Sequence, residues 1–234
     1  MRLFFLDSNL IPSNQILCLI PMKNVQDAKK RLRISFPSEK QSAISNIVTK
    51  LFLNTISTVK IFVDFAVVSP SEEILELALD HGSSFVYQDL GIDLNDALST
   101  SINYAFTIGK WQYILILTAD LPFLTNDAFA YLRKFLFKDS ITILSAPSKD
   151  SKRGTSGLLI PLSLWDKFHL QFGQNSFNRF IGQFNDQNYS YKIIHDRIGF
   201  DLDTIDDLNE LRSSVSDITK LFSNQDELNK LFST

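Results

Sequence analysis

The sequence predicts an α/β fold, with a mostly parallel central sheet and helices on both faces. Three observations carry that prediction. Runs at residues 16–20, 113–118 and 141–146 hold no charge, as strands buried on both faces require. Between them lie stretches whose apolar residues recur at helical spacing, so strand and helix alternate along the chain, the order of a parallel sheet covered on both sides. The run YILILT at 113–118 then meets Asp120 and Pro122. Proline cannot donate a ladder hydrogen bond, so this strand should stop near Asp120. A carboxylate is left at the carboxyl end of a central strand, the edge where open α/β sheets bind ligands.

The elements follow in order. Residues 16–20 (ILCLI) read as the first strand and run into a basic segment holding Lys23, Lys29, Lys30, Arg31 and Arg33. Ser38 and Gln41 have the spacing of a capping box, and Ala43, Ile44, Ile47, Val48 and Leu51 fall on one helical face. Residues 61–69 read as the second strand. Ser71 caps a helix through Asp80, with Gly82 as its stop. Residues 85–87 make a short third strand, 91–96 a polar loop, and Ala97, Leu98, Ile102, Ala105 and Phe106 a helix. After the 113–118 strand, Thr125 or Asn126 starts a helix bearing Phe129, Leu132 and Leu136, and 141–146 is a strand. Past a charged loop at 148–154, residues 158–160 are short and apolar. Phe177, Phe180, Ile181 and Phe184 form a helical stripe, while 191–195 and 198–202 alternate like strands. Thr204 and Asp207 cap a further helix, and 218–232 reads as a terminal helix packing on the domain or on a partner.

A chain of 234 residues, 44% of them apolar, can build one sizeable α/β domain. A net charge of −3 gives no basic surplus for nucleic acid. Twenty Phe against eight Gly point to a Phe-packed core. Cys18, the only cysteine, lies inside an apolar run and reads as a small core residue; a single cysteine fits a reducing compartment. The opening apolar run ends at Asp7 and is too short for a signal segment or a membrane span. The expectation is a cytoplasmic protein with a loose or edge-packed N-terminal extension.

Chemistry concentrates in a few places. On a strand, Asp201 and Asp203 would share a face. Carboxylates at a strand end suit Mg²⁺, and the competing reading is that Asp203 caps the following helix. The basic segment follows the first strand, where other α/β enzymes carry GxGxxG or GxxxxGK[ST] loops. Neither motif occurs in the chain, which argues against a dinucleotide oxidoreductase or a P-loop enzyme. The segment reads as a triphosphate clamp or as a solvated basic face. Residues 154–157 (GTSG) and 172–177 (FGQNSF) are small hydroxyl-bearing turns, able to hold an anion or simply to cap and turn. His81, His169 and His195 have no metal spacing and no Ser or Cys partner, so a triad hydrolase finds little support; His81 suits a helix C-terminus.

The segments IPMKNVQDAKKRL, VVSPSEEI, LNDAL, TADLPFL, GTSGLLI, FGQNSF and DLDTIDDLNEL occur in this order. Together they resemble the 2-phospho-L-lactate guanylyltransferase family of coenzyme F-420 biosynthesis, across about residues 17–211. The resemblance implies a single three-layer, Rossmann-like nucleotidyltransferase domain of GT-A-like type over residues 1–234. Its core would lie at about 15–213, with extensions at 1–14 and 214–234. It implies transfer of GMP from GTP to a phosphorylated three-carbon acid (2-phospho-L-lactate, phosphoenolpyruvate or 3-phosphoglycerate) with release of pyrophosphate. It further implies that Asp120, Asp201 and Asp203 hold Mg²⁺, and that Lys23, Lys29 and Arg31 face the GTP phosphates. Asp120 and those three cations would be catalytic. Ser69 and Asn95 would lie at the guanine-side loops, and Thr155, Gly173 and Ser176 would line the acceptor pocket. Family members commonly read GTN or GTT followed by Ala where this chain has Gly154-Thr155-Ser156-Gly157.

The chemistry is consistent with the residue types alone. A phosphate oxygen is already anionic near pH 7, because its second pKa is about 6, so no general base is needed. The barrier is charge: two unit anions at about 4 Å repel by roughly 4 kcal/mol at an effective dielectric near 20. Cations and in-line positioning are the remedy. Two other readings stay open, a related nucleotidyltransferase with another nucleotide or acceptor and a non-catalytic GTP-binding module. The expected partners are GTP and the small acid, with no nucleic acid and no membrane; a homodimer is left open.

Overall fold

Two wholly apolar strands, β1 (Ile16–Pro21) and β4 (Tyr113–Leu117), run parallel at the middle of the sheet, with Ile16 opposite Tyr113. Their side chains alternate between two cores. Ile16, Cys18, Ile20, Tyr113, Leu115 and Leu117 enter one, and Leu17, Leu19, Ile114 and Ile116 enter the other. This is why neither strand tolerates a polar residue on either face. The computed structural model of the protein describes residues 13–89, 93–136, 140–145 and 154–213, the side chain of Arg212 apart. Residues 1–12 of the N-terminal extension, the start of the 91–96 loop, most of the 148–154 loop and the terminal helix at 218–232 lie outside the described residues.

The described strands form one seven-stranded sheet in the order β3-β2-β1-β4-β6-β5-β7, where β2 is Asp64–Ser69, β3 Val86–Gln88, β5 Ile141–Ser145, β6 Gly157–Pro161 and β7 Tyr191–His195. All pairings are parallel except those of β6, which runs antiparallel between β4 and β5. The mostly parallel α/β sheet expected from the alternation of elements is therefore present. The short apolar stretch at 158–160 lies in β6, inside the sheet.

Helix α2 (Gln41–Val59) covers the first core through Ile44, Ile47, Val48, Leu51, Phe52, Ile56 and Val59, each worth about 1.5–3 kcal/mol when fully buried. Helices α3 (Glu72–Asp80), α5 (Asn126–Arg133) and α7 (Ile205–Ser213) add Ile74, Phe129 and Leu208 to the same side. The opposite core holds α4 (Leu94–Ile108) and α6 (Ser176–Asp186), the latter through Phe177, Phe180 and Phe184. Caps at Ser71 and Thr125 form as expected, accepting from the amides of Ile74 and Ala128. Cys18 is fully buried and free.

Three local expectations are corrected. The Ser38/Gln41 capping box does not form: residues 38–40 make a 3-10 turn, and the Gln41 amide turns back to the carbonyls of Arg33 (3.0 Å) and Phe36 (3.2 Å). The second strand starts at Asp64, not at residue 61, because α2 runs to Val59 and a turn follows it. Residues 198–202 form no strand: the Asp196 carboxylate accepts from the Ile198 amide at 2.9 Å and starts a 3-10 turn at Arg197–Gly199.

Candidate active site

The carboxyl edge of the sheet gathers the chemistry. Strand β4 ends at Leu117, and Thr118, Ala119 and Asp120 follow at its tip, stopped by Pro122. Two backbone hydrogen bonds hold this tip. Thr118 N donates to Ser156 O at 3.0 Å, and Asp120 O accepts from Leu202 N at 3.2 Å. The Ser156 hydroxyl donates to Gly199 O, linking the entry to β6 with the 199–203 loop. Leu202, fully buried, anchors that loop in the core between two aspartates. The Asp207 carboxylate then accepts from the amides of Asp203 (2.9 Å) and Thr204 (2.6 Å), fixing the backbone at Asp203 as α7 begins. Asp201 and Asp203 are thus presented by a loop, yet they converge on Asp120.

Oxygens of Asp120, Asp201 and Asp203 lie within 4.8 Å of one another. Among the described residues this is the one cluster of three or more acidic, His or Cys side chains able to share a cation. Lys29 enters it from the β1–α1 connection, α1 being Lys30–Ile34. Its ammonium pairs with Asp120 Oδ2 and, at 2.7 Å, with Asp203 Oδ1. The Lys29 side chain is only 8% exposed.

The charges respond to one another. Burial would lower the Lys29 pKa, but the carboxylates of Asp120 and Asp203 outweigh it and hold the amine above its usual value. Burial would raise the Asp120 pKa, but Lys29 outweighs that and keeps the carboxyl below its usual range. At Asp201 the pull of Lys29 is outweighed. Burial, with the like charges of Asp120 and Asp203, pushes it up to about 7.

A cation fits this set. The donors are all carboxylate oxygens, which suit a hard ion such as Mg²⁺. Asp120 Oδ1 is buried, and the Thr118 hydroxyl two residues earlier adds to Lys29 in holding this carboxyl in its charged form.

A cleft of about 600 Å³ opens in front of the cluster. Lys23, Asn24, Lys29, Thr118, Asp120 and Asp203 line it at one end, and Val68, Pro70, Asp89, Asp93 and Leu94 extend it past the ends of β2 and β3 to the start of α4. Of the residues expected in the site, Lys23, Lys29, Asp120 and Asp203 share this cleft. Arg31 is exposed on α1 and does not line it. Ser69 is buried at the end of β2, where its hydroxyl accepts from Ser71 N. The Asn95 amide is engaged on both sides with the backbone of Phe172, at 2.7 and 3.2 Å, and so ties the start of α4 to the loop before α6.

Thr155 and Ser176 meet each other: the Ser176 hydroxyl accepts from Thr155 N at 3.1 Å and donates to Thr155 Oγ1 at 3.2 Å. Gly173 stands three residues before, with φ +117°, a conformation that side chains resist. These three form a second group at the same sheet edge, outside the lining of the cleft. The sequence reading missed Thr118, Asn24, Asp89 and Asp93 as cleft residues. Their positions just past strand ends or at a helix start were the available signal.

A protein described as a nucleotide-diphospho-sugar transferase from Desulfovibrio desulfuricans G20 superposes with a TM-score of 0.70 at 13% identity, covering 93% of this chain and 98% of that one. The inositol-1-phosphate CTP transferase from T. maritima gives a TM-score of 0.59 at 13% identity, with 90% and 98% covered. The chain therefore has a nucleotidyltransferase fold. In sequence, it is 27% identical over 197 residues to a phosphoenolpyruvate guanylyltransferase from Sphaerobacter thermophilus, covering 83% of this chain and 91% of that one. The family described as "Guanylyl transferase CofC like" matches residues 16–219, and the chain belongs to that family.

Proposed function

We propose that the protein transfers GMP from GTP to a phosphorylated three-carbon acid, releasing pyrophosphate, in coenzyme F-420 biosynthesis. The convergence of Asp120, Asp201 and Asp203 with Lys29 at the carboxyl edge of β4, in front of the cleft, carries this reading. The family and the Sphaerobacter relative support guanine as the base, and the relative's activity makes phosphoenolpyruvate the first acceptor to test, ahead of 2-phospho-L-lactate and 3-phosphoglycerate.

In the proposed reaction an oxygen of the acceptor phosphate bonds to the α-phosphorus of GTP. The bond from that phosphorus to the bridging oxygen breaks, and pyrophosphate leaves with the electron pair. The acceptor oxygen needs no base near pH 7. Lys29 stays protonated throughout, since two carboxylates hold its proton, and brings positive charge to the phosphate end of the cleft. Lys23, exposed at the cleft entrance, adds a second cation for the departing pyrophosphate. Asp120, Asp201 and Asp203 would hold Mg²⁺, which when bound neutralises phosphate charge and orients the oxygens. Arg31 is proposed to meet the outer phosphates from α1. Ser69 and Asn95 act as supports of the guanine side, and Thr155, Gly173 and Ser176 bound the acceptor. The reading carries a cytoplasmic location with it.

The test is a nucleotide panel. With Mg²⁺ and phosphoenolpyruvate, GTP should give pyrophosphate and a guanosine-containing mixed diphosphate by mass spectrometry, while ATP, CTP and UTP give neither. Equal turnover of CTP would sink the guanylyl assignment while leaving nucleotidyl transfer intact.

A further inference from the structure

Arg33 belongs to the basic segment, but the fold uses it differently from its neighbours. It is 9% exposed, and all five of its N–H groups have acceptors. Nε donates to Ala28 O at 2.7 Å. One terminal nitrogen donates to Val25 O at 2.7 Å and Ser45 Oγ at 3.0 Å, and the other to Gln41 O and Gln41 Oε1, each at 3.1 Å. No donor remains for a phosphate. Gln41 reciprocates, its amide donating to Arg33 O at 3.0 Å and Phe36 O at 3.2 Å. The guanidinium thus binds two carbonyls of the 24–29 loop to the first turns of α2, a helix held by the core.

That loop ends at Lys29, whose φ of 60° is left-handed. A non-glycine residue in this conformation is strained and persists only where its surroundings impose it. Here Arg33 binds Ala28 O immediately before Lys29, and Arg33 N takes the Lys29 carbonyl itself at 2.9 Å. The strained residue is the one whose ammonium reaches Asp120 and Asp203.

We propose that Arg33 is a positioning residue: its guanidinium locks the 24–29 loop onto α2 and so holds Lys29 in the left-handed conformation that aims it into the aspartate cluster. This rests on the reading of Lys29 as a cation of the nucleotidyl-transfer site. A lysine at position 33 cannot replace the fork, because one ammonium cannot face the Ala28 and Val25 carbonyls and the α2 acceptors together.

The test is a double-mutant cycle on pyrophosphate release from GTP and phosphoenolpyruvate, with kcat and KM measured separately. It uses wild type, Arg33→Gln, Lys29→Ala and the double variant, with Arg33→Lys alongside. Thermal unfolding and amide hydrogen exchange across residues 24–29 are read on the same proteins. Arg33→Gln should lower kcat/KM by about 10- to 100-fold, the loss that small misplacement of a reacting group brings. It should speed exchange across 24–29. On top of Lys29→Ala it should cost less than about twofold, because the two residues act through one contact. Arg33→Lys should not rescue. Multiplying losses, full rescue by Arg33→Lys, or unchanged kcat/KM in a folded Arg33→Gln would each overturn the proposal. Full activity in Lys29→Ala would instead overturn the reading of the site. Arg33 is then judged by exchange alone, faster exchange in Arg33→Gln supporting its hold on the loop and unchanged exchange refuting it. If Arg33→Gln does not fold, Gln41→Ala enters the same cycle with a smaller effect in the same direction.

Discussion

Ionised Asp201 faces two like charges in a buried setting, and its pKa stands near 7 against an ordinary 3.8. The folded state therefore keeps a proton that the unfolded chain has already lost between those values. The stabilising contribution of the protonated carboxyl is complete below about pH 4 and is lost as pH rises through about 7. Asp201→Asn removes that loss. In chelator-treated protein, the Tm of the variant should rise relative to wild type as pH goes from 4 to 7 and then level off. A constant difference across that range would contradict the placement of Asp201. This cost at a site residue is the pattern of a functional group held against stability. Asp120, Asp203 and Lys29 were legible in the sequence because a strand end, a DxD pair and a basic connection each leave a signature. Arg33 was not: a run of charges does not say which member is solvated, and all five of its acceptors are backbone carbonyls or side chains of the next helix.

At the scale of elements, periodicity gave the buried strands and the Phe-bearing face of α6, because both faces of the sheet and one face of each helix must be apolar. It failed where side chains bond to backbone. Residues 198–202 alternate like a strand, but Asp196 captures the Ile198 amide and Leu202 pairs its amide with Asp120 O, so no ladder forms. The direction and place of β6 also escaped, since pairing partners across the sheet are set by topology rather than local pattern. Gly157, at the start of β6, makes its place in the sheet testable. A Cβ there would meet Leu144 Cβ at 3.1 Å and Leu117 Cδ1 at 3.2 Å. Gly157→Ala should cost about 1–3 kcal/mol, as overpacking does. Urea unfolding should show a lower midpoint at unchanged slope, and an unaltered midpoint would refute the close packing. At the other end of the site, Asp207→Ala removes the acceptor of the Asp203 and Thr204 amides. It should lose about 1 kcal/mol, as a lost cap does, and reduce turnover beyond that of Asp206→Ala, whose side chain is exposed. Equal turnover in the two variants would mean that Asp203 does not depend on Asp207.

Over the whole molecule, the sheet order decides what can meet. With β1 between β2 and β4, the carboxyl edges of these strands border one cleft, and the cluster stands at its β4 end. The antiparallel β6 brings Thr155 and Ser156 back to that same edge, beside the 199–203 loop. Among the described residues no helix is long and apolar enough to cross a membrane. Nucleotidyl transfer at this edge is proposed to run through the Asp120 cluster. The most direct measurement is pyrophosphate release from GTP with Mg²⁺ and phosphoenolpyruvate, run side by side on wild type and Asp120→Asn. Wild type should release pyrophosphate, with none in the presence of chelator, and the variant should lose at least about 100-fold, as removal of one charge-stabilising group brings. Equal rates in the two proteins would contradict it.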